Sequence, residues 1–254
     1  MQKFRSYVLS IAGFDPSSGA GILSDIKTFE INNAYGLGIC SALTIQNDIH
    51  FQSVEWVSFN IIKKQIDILF ERFSINWVKI GLIESSGTLL KIINYLIEKN
   101  SKIKIIWDPI LKASAGYNFH NSISHIDLLE ICKKTYLLTP NYEEIKMLLP
   151  KLPEMEAAQL LSQYCAVLVK GGHRTDNKKG VDILFFNNKI YEFEGEYNSS
   201  YKKHGSGCVL SSAILAKLST LCTLIETCSH AKKYTLEFLK SNDSLLGYHN
   251  NGKN

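Results

Sequence analysis

Short apolar runs alternate with longer segments of helical spacing along most of the chain. Apolar runs bounded by Gly, Pro or Asn are typical of buried strands, and apolar residues three or four positions apart are typical of helices. The predicted strands are Tyr7–Ala12, Ile39–Ile45, Asn76–Ile83, Ile103–Trp107, Tyr136–Leu138, Ala166–Lys170 and a hairpin of Val181–Phe186 with Lys189–Phe193. The predicted helices are Gly19–Asn32, Val54–Phe73, Gly87–Lys99, Ile126–Lys133, Tyr142–Leu149, Glu154–Tyr164, Cys208–Leu218 and Ser229–Lys240. This alternation predicts an α/β fold, a mostly parallel sheet with helices on both faces.

Composition narrows the class of protein. The 254 residues, 45% of them hydrophobic, suffice for a single domain spanning 1–254. The net charge of +4 is spread along the chain and its lysine pairs are isolated, so we expect no nucleic-acid partner. No apolar stretch is long enough to span a membrane. Six cysteines without C-x-x-C spacing indicate reduced thiols, and we expect a cytoplasmic protein.

Polar residues follow several of the predicted strands. In parallel sheets ligands bind beyond the carboxyl ends of the strands, where these residues would meet. They are Asp15, Gln46, Asp108, Asn141, Lys170 and the loop at Gly205. The pattern therefore predicts one ligand site at this edge of the sheet.

The segment Gly205-Ser206-Gly207-Cys208 precedes a helical run of small and apolar residues. Such a turn leaves the first N–H groups of a helix unpaired, and the helix dipole favours an anion there. A thiol in this position is expected to have a lowered pKa. The segment is thus a candidate phosphate site, and the alternative is an ordinary tight turn.

The first turn, residues 13–21, is rich in glycine but matches neither the Walker nor the G-x-G-x-x-G pattern. Its glycines suit a close approach of the backbone to a small ligand. Asp25, in the helix that follows, could reach such a ligand. The alternative for Asp25 and Lys27, which the residues by themselves favour, is a solvated helix face.

Four further side chains have a chemical interpretation beside a structural one. The Gln46 amide suits the edge of a heteroaromatic ring, or is simply a polar strand end. Asp108 and Glu144 suit Mg²⁺ near a phosphate, but they could instead be a turn residue and a favourable charge in a first helical turn. Lys170 could approach a nucleotide, or it ends a strand. Asn141 is the predicted N-cap of the helix at Tyr142.

Taken together, seven motifs resemble the hydroxymethylpyrimidine/phosphomethylpyrimidine kinases of thiamine biosynthesis, in the ribokinase-like superfamily. They cover nearly the whole chain in the family's order and spacing. They are IAGFDPSSGAGILSDIKTF (11–29), YGLGICSALTIQN (35–47), VKIGLI (78–83), WDPIL (107–111), LLTPNYEEI (137–145), VLVKGGH (167–173) and HGSGCVLSSAIL (204–215).

The resemblance implies a three-layer ribokinase-like fold and a set of residue roles. The pyrimidine pocket is implied at Gly13, Ala20, Asp25, Thr44, Gln46 and Leu82. Asp108 and Glu144 match the Mg²⁺ side, and Asn141 and Lys170 the nucleotide side. Gly205, Ser206 and Gly207 match the anion hole, and Cys208 matches the family's cysteine. Ser206 replaces the commoner threonine, and the loop at residues 112–116 departs from the family pattern.

The activity implied is phosphorylation of 4-amino-5-hydroxymethyl-2-methylpyrimidine, and of its monophosphate, with ATP and Mg²⁺ as cofactors. The resemblance also implies a homodimer. Two alternatives stay open. A pyridoxal or pyridoxine kinase could use the same scaffold, and a protein that has lost catalysis could bind the pyrimidine only as a sensor.

Overall fold

A computed structural model of the chain describes residues 5–112, 119, 123–174, 179–198, 201–220 and 222–250. The strands are β1 Tyr7–Phe14, β2 Tyr35–Gln46, β3 Phe51–Trp56, β4 Trp77–Ile80, β5 Lys104–Trp107, β6 Leu137–Leu138, β7 Ala166–Val169, β8 Asp182–Phe186 and β9 Lys189–Phe193. The helices are α1 Gly21–Ile31, α2 Phe59–Arg72, α3 Ser86–Lys99, α4 His125–Lys134, α5 Tyr142–Leu148, α6 Glu154–Leu161, α7 Ser206–Leu218 and α8 Leu224–Leu239. Residues 113–116 of the divergent loop lie outside the described residues.

In this part of the chain the strands form one sheet in the order β3-β2-β1-β4-β5-β6-β7-β8-β9. Neighbours from β2 to β7 are parallel, and β3, β8 and β9 are added antiparallel at the two edges. The polar strand ends from β2 to β7 therefore emerge at the same edge of the sheet. The predicted mostly parallel sheet is confirmed.

Helices cover the sheet on both faces because successive strand residues point to opposite sides. Ile105 and Trp107 of β5 belong to a core shared with α2 to α6, whereas Ile106 between them packs in the core of α1, α7 and α8. The arrangement has three layers, as predicted. Within the described residues no helix combines the length and apolar character needed to cross a membrane.

The predicted helix Val54–Phe73 is wrong in its first part. The chain forms β3, which pairs antiparallel with the end of β2, and α2 begins only after Ser58. Ser58 has extended φ and ψ of −61° and 146°, which separates the two elements. Helical spacing of apolar residues in 54–57 was misleading because hydrogen bonding to a distant strand decided the local structure.

Other element ends differ by a few residues. The last helix starts at Leu224 rather than Ser229, because Thr223 and Glu226 form a capping box there. Strand β2 starts at Tyr35, four residues before the predicted Ile39. The predicted hairpin is confirmed, and its turn residues Asn187 and Asn188 have φ values of 51° and 57°, as a two-residue hairpin turn requires.

Candidate active site

A cavity of about 880 Å³ opens at the carboxyl ends of the parallel strands. Its size falls in the range of small-molecule sites. Its wall includes Gly13 at the end of β1, Gln46 at the end of β2, Leu82 beyond β4 and Lys170 beyond β7. The first turn of α7 completes it. The cavity therefore lies at the edge of the sheet where the sequence predicted a ligand site.

Most of the predicted site residues line this one cavity. Those that do are Gly13, Ala20, Thr44, Gln46, Leu82, Asn141, Glu144, Lys170, Gly205, Ser206, Gly207 and Cys208. Asp25 and Asp108 do not; both are fully buried beneath its floor. The structure thus brings the predicted set together in two layers, with twelve side chains or backbones on the surface of the cavity and two carboxylates under it.

Asp25 differs most from both of its interpretations. It is not on a solvated helix face, since none of its surface is exposed. Its Oδ2 accepts a hydrogen bond from Ser10 Oγ at 2.6 Å, and Oδ1 accepts from Ser212 Oγ at 2.7 Å. Lys79 Nζ lies 2.5 Å from Oδ1. Lys27 is exposed, so the solvated alternative is confirmed for that residue alone.

Lys79 was missed because a single lysine inside an apolar strand carries no local motif. It is the third residue of β4, has no exposed surface, and is one of the residues that line the cavity. Burial by itself lowers the pKa of Lys79, but the nearby Asp25, Cys208 and Asp108 raise it above its ordinary value. The ammonium therefore keeps its charge inside the protein.

A second buried lysine joins two of the predicted acidic residues. Lys170 Nζ lies 2.7 Å from Asp108 Oδ1 and 3.4 Å from Glu144 Oε2. Asp108 also accepts hydrogen bonds from Thr139 and Ser211, so both of its oxygens are engaged. Asp108 holds Lys170 and α7 in place beneath the cavity.

Glu144 has two roles at once. Asn141 caps α5, as predicted, and the two residues form a capping box in which Glu144 Oε2 accepts from the Asn141 N–H at 2.7 Å. Oε1 has no hydrogen-bond partner in the part of the chain that the structure describes. Burial, reinforced by the Asp108 charge and opposed by Lys170, raises the pKa of Glu144 to about 7.

The anion-binding turn is built by close packing of two loops. Gly205 is the N-cap of α7 and has a φ of +76°. A Cβ added to Gly205 would lie 2.0 Å from the carbonyl oxygen of Gly19, so no other residue fits without movement. The first-turn loop thus fixes where α7 begins. Ser206 and Gly207 follow with no side-chain cap, so their N–H groups face the cavity unblocked.

Asp15 and His204 join these loops, a contact that sequence reasoning missed. His204 Nε2 lies 2.9 Å from Asp15 Oδ2, and the same carboxylate accepts from the N–H groups of Ser17 and Ala20. Burial raises the pKa of Asp15, but the hydrogen bonds from His204, Ala20 and Ser17 outweigh it and lower the pKa below its ordinary value. The signal available was the position of His204 immediately before the Gly205 turn.

Cys208 lies in the first turn of α7, as predicted, but the pKa of its thiol differs from the prediction. Burial raises the pKa of the thiol to about 11, although Lys79 and a hydrogen bond from the Gly21 N–H oppose the rise. The expected lowering by the helix N-terminus is therefore wrong for this form of the protein. Removal of the thiol from water opposes its ionisation.

The opposite wall suits a flat polar ring. Thr44 Oγ donates to the Phe14 carbonyl at 2.7 Å, which fixes the end of β2 to that of β1. A register shift between Ile45 and Gln46 accompanies the turn of the chain toward β3. The Gln46 amide makes no hydrogen bond within the described residues and borders the cavity. It is thus available to a ligand.

The three-layer arrangement around a mostly parallel sheet is that of the ribokinase-like kinases, a class of small-molecule kinases. The model of the phosphomethylpyrimidine kinase family matches residues 15–253, and the chain belongs to that family.

Individual relatives agree with this assignment. A hydroxymethylpyrimidine/phosphomethylpyrimidine kinase of Aquifex aeolicus is 32% identical over 246 residues, covering 93% of this chain and 95% of its own. The crystal structure of phosphomethylpyrimidine kinase from Clostridium difficile is 30% identical, with a TM-score of 0.76, covering 92% of this chain and 99% of that one.

A pyridoxal kinase from Staphylococcus aureus, in complex with AMP-PCP and pyridoxal, has a TM-score of 0.81 at 21% identity, covering 96% of this chain and 92% of that one. At this identity the likeness concerns the fold. It agrees with the ribokinase-like architecture that the resemblance of the motifs implied.

Proposed function

We propose that this protein transfers the γ-phosphoryl group of ATP to the hydroxymethyl oxygen of 4-amino-5-hydroxymethyl-2-methylpyrimidine, and then phosphorylates the monophosphate, as a step of thiamine biosynthesis. The observation that carries the proposal is the placing of the α7 N-terminus and Gln46 on one cavity. Family membership and relatives about 30% identical support the pyrimidine as substrate.

The pyrimidine occupies the wall formed by Gly13, Ala20, Thr44, Gln46 and Leu82. A Cβ on Gly13 would lie 3.1 Å from Leu82 Cδ2, so the glycine leaves room for a flat ring against the backbone. The Gln46 amide both donates and accepts, which matches an amino group beside a ring nitrogen. Asp25 acts from below this wall through Lys79.

ATP occupies the side of the cavity formed by Asn141, Glu144 and Lys170. Within the described residues no group of three or more acidic, His or Cys side chains is arranged to hold a metal ion by itself. This agrees with Mg²⁺ held mainly by phosphate oxygens and water, with one or two carboxylates. Glu144 fits as a ligand, because its Oε1 has no hydrogen-bond partner within the described residues. Asp108 would support Glu144 through Lys170. The ion would neutralise the charge of the polyphosphate.

The reaction needs little covalent chemistry from the protein. The substrate hydroxyl oxygen forms a bond to the γ-phosphorus while the bond between that phosphorus and the β,γ-bridging oxygen breaks, releasing ADP. The N–H groups of residues 205–207 bind the transferring oxygens at the helix N-terminus. Cys208 orients the attacking hydroxyl or, once ionised, accepts its proton.

The test is release of ADP from Mg-ATP with five acceptors: the pyrimidine alcohol, its monophosphate, pyridoxal, pyridoxine and ribose. Products are identified by mass spectrometry. Turnover of the two pyrimidines is the expected result. Turnover of pyridoxal with inert pyrimidines would replace the proposal with the pyridoxal kinase alternative. Binding of the pyrimidine without any turnover would favour the sensor.

We further propose that the protein is a cytoplasmic homodimer formed through β2. Leu43 and Ile45 are 51% and 48% exposed and alternate along β2 with Thr44 and Gln46, which line the cavity, so they point away from the site. Adjacent apolar side chains on an outer strand face are typical of an interface. Sedimentation of the wild type and of Leu43→Glu tests this: the wild type should be a dimer, and the variant a monomer. A monomeric wild type would overturn the proposal.

A further inference from the structure

The floor of the cavity contains a buried polar cluster in which Asp25 is the centre. Ser10 from β1, Lys79 from β4 and Ser212 from α7 all donate to its carboxylate, at 2.6, 2.5 and 2.7 Å. None of the four residues has any exposed surface. Buried ion pairs are costly to desolvate and are often no more stable than an apolar replacement. A contribution to function is thus the better reason for this cluster.

The ammonium of Lys79 is incompletely satisfied. A lysine has three N–H donors, and Asp25 is the only acceptor that Lys79 contacts in the described part of the chain. A buried donor without a partner is unfavourable, and Lys79 is one of the residues that line the cavity. The remaining donors are therefore available to an acceptor at the floor of the site.

Cys208 is the reactive group next to this ammonium. It lies one turn before Ser212, and residues four apart share one face of a helix, so both face the Asp25 cluster. The charged groups around Cys208 are Lys79 from β4, Asp25 from α1, Asp108 after β5 and Lys170 after β7. Lys170 is shared between Asp108 and Glu144, whereas Asp25 is the only acidic partner of Lys79 among the described residues.

We propose that the Lys79–Asp25 pair is the positioning pair for Cys208: Asp25 fixes the Lys79 ammonium beneath the thiol, and the ammonium stabilises Cys208 in its ionised form. The inference rests on the proposed kinase function, but it concerns the thiol itself. It answers a difficulty in the mechanism, because burial opposes ionisation of Cys208 and some fixed positive charge must offset it. Asp25 then contributes to the site without touching the substrate.

The experiment measures ionisation of Cys208 directly, without ATP or substrate. The whole protein is treated with iodoacetamide over a range of pH, and modification of each cysteine is followed by peptide mass spectrometry. The exposed Cys222 is the internal reference. Asp25→Asn/Lys79→Met removes both charges together, so that no unpaired charge stays buried. Ser10→Ala is the matched control, since it removes one hydrogen bond to Asp25 and keeps the ion pair.

We expect the double variant to alkylate Cys208 at least tenfold more slowly than the wild type at pH 9, with Cys222 unchanged. Its pH–rate midpoint for kcat should move upward, while the KM for ATP changes less than threefold. Ser10→Ala, which keeps the ion pair, should slow alkylation of Cys208 much less than the double variant does. An unmoved alkylation profile of Cys208 in a folded double variant, checked by circular dichroism, would overturn the inference whatever the effect on kcat.

Should the double variant fail to fold, Lys79→Met and Asp25→Asn are measured singly by the same alkylation. Slower alkylation of Cys208 in Lys79→Met supports the inference, and unchanged alkylation overturns it. Failure of the kinase assignment itself would appear separately, as wild-type protein that turns over no pyrimidine while its Cys208 ionisation still depends on Lys79.

Discussion

Lys170 Nζ lies 2.7 Å from Asp108 Oδ1, and these two residues follow strands β7 and β5, on either side of β6. The ion pair crosses β6 at the edge of the sheet where the cavity opens. Ser211 of α7 donates to the other oxygen of Asp108 at 2.9 Å. One carboxylate thus ties Lys170, on the wall of the cavity, to helix α7.

Replacing Lys170 by Met should destabilise the fold, because Asp108 and the partly ionised Glu144 would be left as unpaired buried acids. Breaking a buried pair in this way costs about 3–5 kcal/mol of unfolding free energy. Urea denaturation measures it. Adding Asp108→Asn to Lys170→Met should recover part of the loss. If the double variant is no more stable than the single one, the two residues are not coupled as the structure indicates.

Gln46→Ala should weaken binding of the pyrimidine and leave ATP affinity unchanged. The amide has no partner within the described residues, so its hydrogen bonds are free for the ring, and their loss costs about 1–3 kcal/mol. Isothermal titration with each ligand measures both affinities. Gln46→Glu is the matched control, since it keeps the size of the side chain but removes its N–H donors. It should bind the pyrimidine more weakly, because these N–H groups can no longer donate to the ring. A selective loss of ATP affinity would contradict this assignment.

Gly205→Ala should impair catalysis through the backbone. The residue has a φ of +76°, and a Cβ would lie 2.0 Å from the Gly19 oxygen, so the first turn of α7 must shift. Losing one donor of an anion hole typically lowers kcat by about 10²–10³-fold. Gly87→Ala in α3 is the control, because the nearest neighbouring atom to its Cβ is 3.9 Å away. Equal kcat in the two variants would argue against a tightly built anion hole.

Local signals predicted part of this site well. Asn141 and Glu144 stand three residues apart before a helix, so their capping box follows from spacing alone. Gly205 and Gln46 stand where elements begin or end, and the parallel sheet brings such ends together. The motif resemblance then supplied their roles.

Other parts of the site depend on contacts between distant residues. Lys79 and Asp25 are 54 positions apart, so no local spacing in the sequence connects them. The motif resemblance implies Asp25 in the wall of the pyrimidine pocket, yet its side chain is buried against β1, β4 and α7, where Ser10, Lys79 and Ser212 bond to it. Likewise, the sequence could not show that Cys208 would be buried, which raises the pKa of its thiol.

The C-terminal segment should make stability depend on pH. His249 Nδ1 is hydrogen-bonded to the Tyr234 hydroxyl at 2.9 Å and its ring packs on Phe238; burial, with Lys27 nearby, lowers the pKa of His249 to about 4. In the unfolded chain the pKa of histidine is about 6.5. Between these values the unfolded state binds more protons, so stability is greatest above pH 6.5 and falls as the pH drops toward 4.

His249→Gln removes the titrating ring and should flatten this dependence. The free energy of unfolding in urea, measured at pH 7.5 and pH 5, gives the slope for each protein. The wild type should lose more stability than the variant over that interval. Equal losses would mean that His249 is not held neutral in the folded protein.

Cys208→Ala should keep the fold and substrate binding but lower kcat. Proton transfer by a positioned side chain contributes about 10²–10⁴-fold, and the anion hole continues to act without the thiol. Because burial raises the pKa of this thiol to about 11, wild-type kcat should rise with pH above neutrality, and the variant should lose that rise. Calorimetry of substrate binding separates a loss of kcat from a loss of affinity. Cys208→Asp supplies a carboxylate in place of the thiol and should regain part of the rate. A Cys208→Ala variant with wild-type kcat and an unchanged pH profile would leave phosphoryl transfer to the anion hole alone.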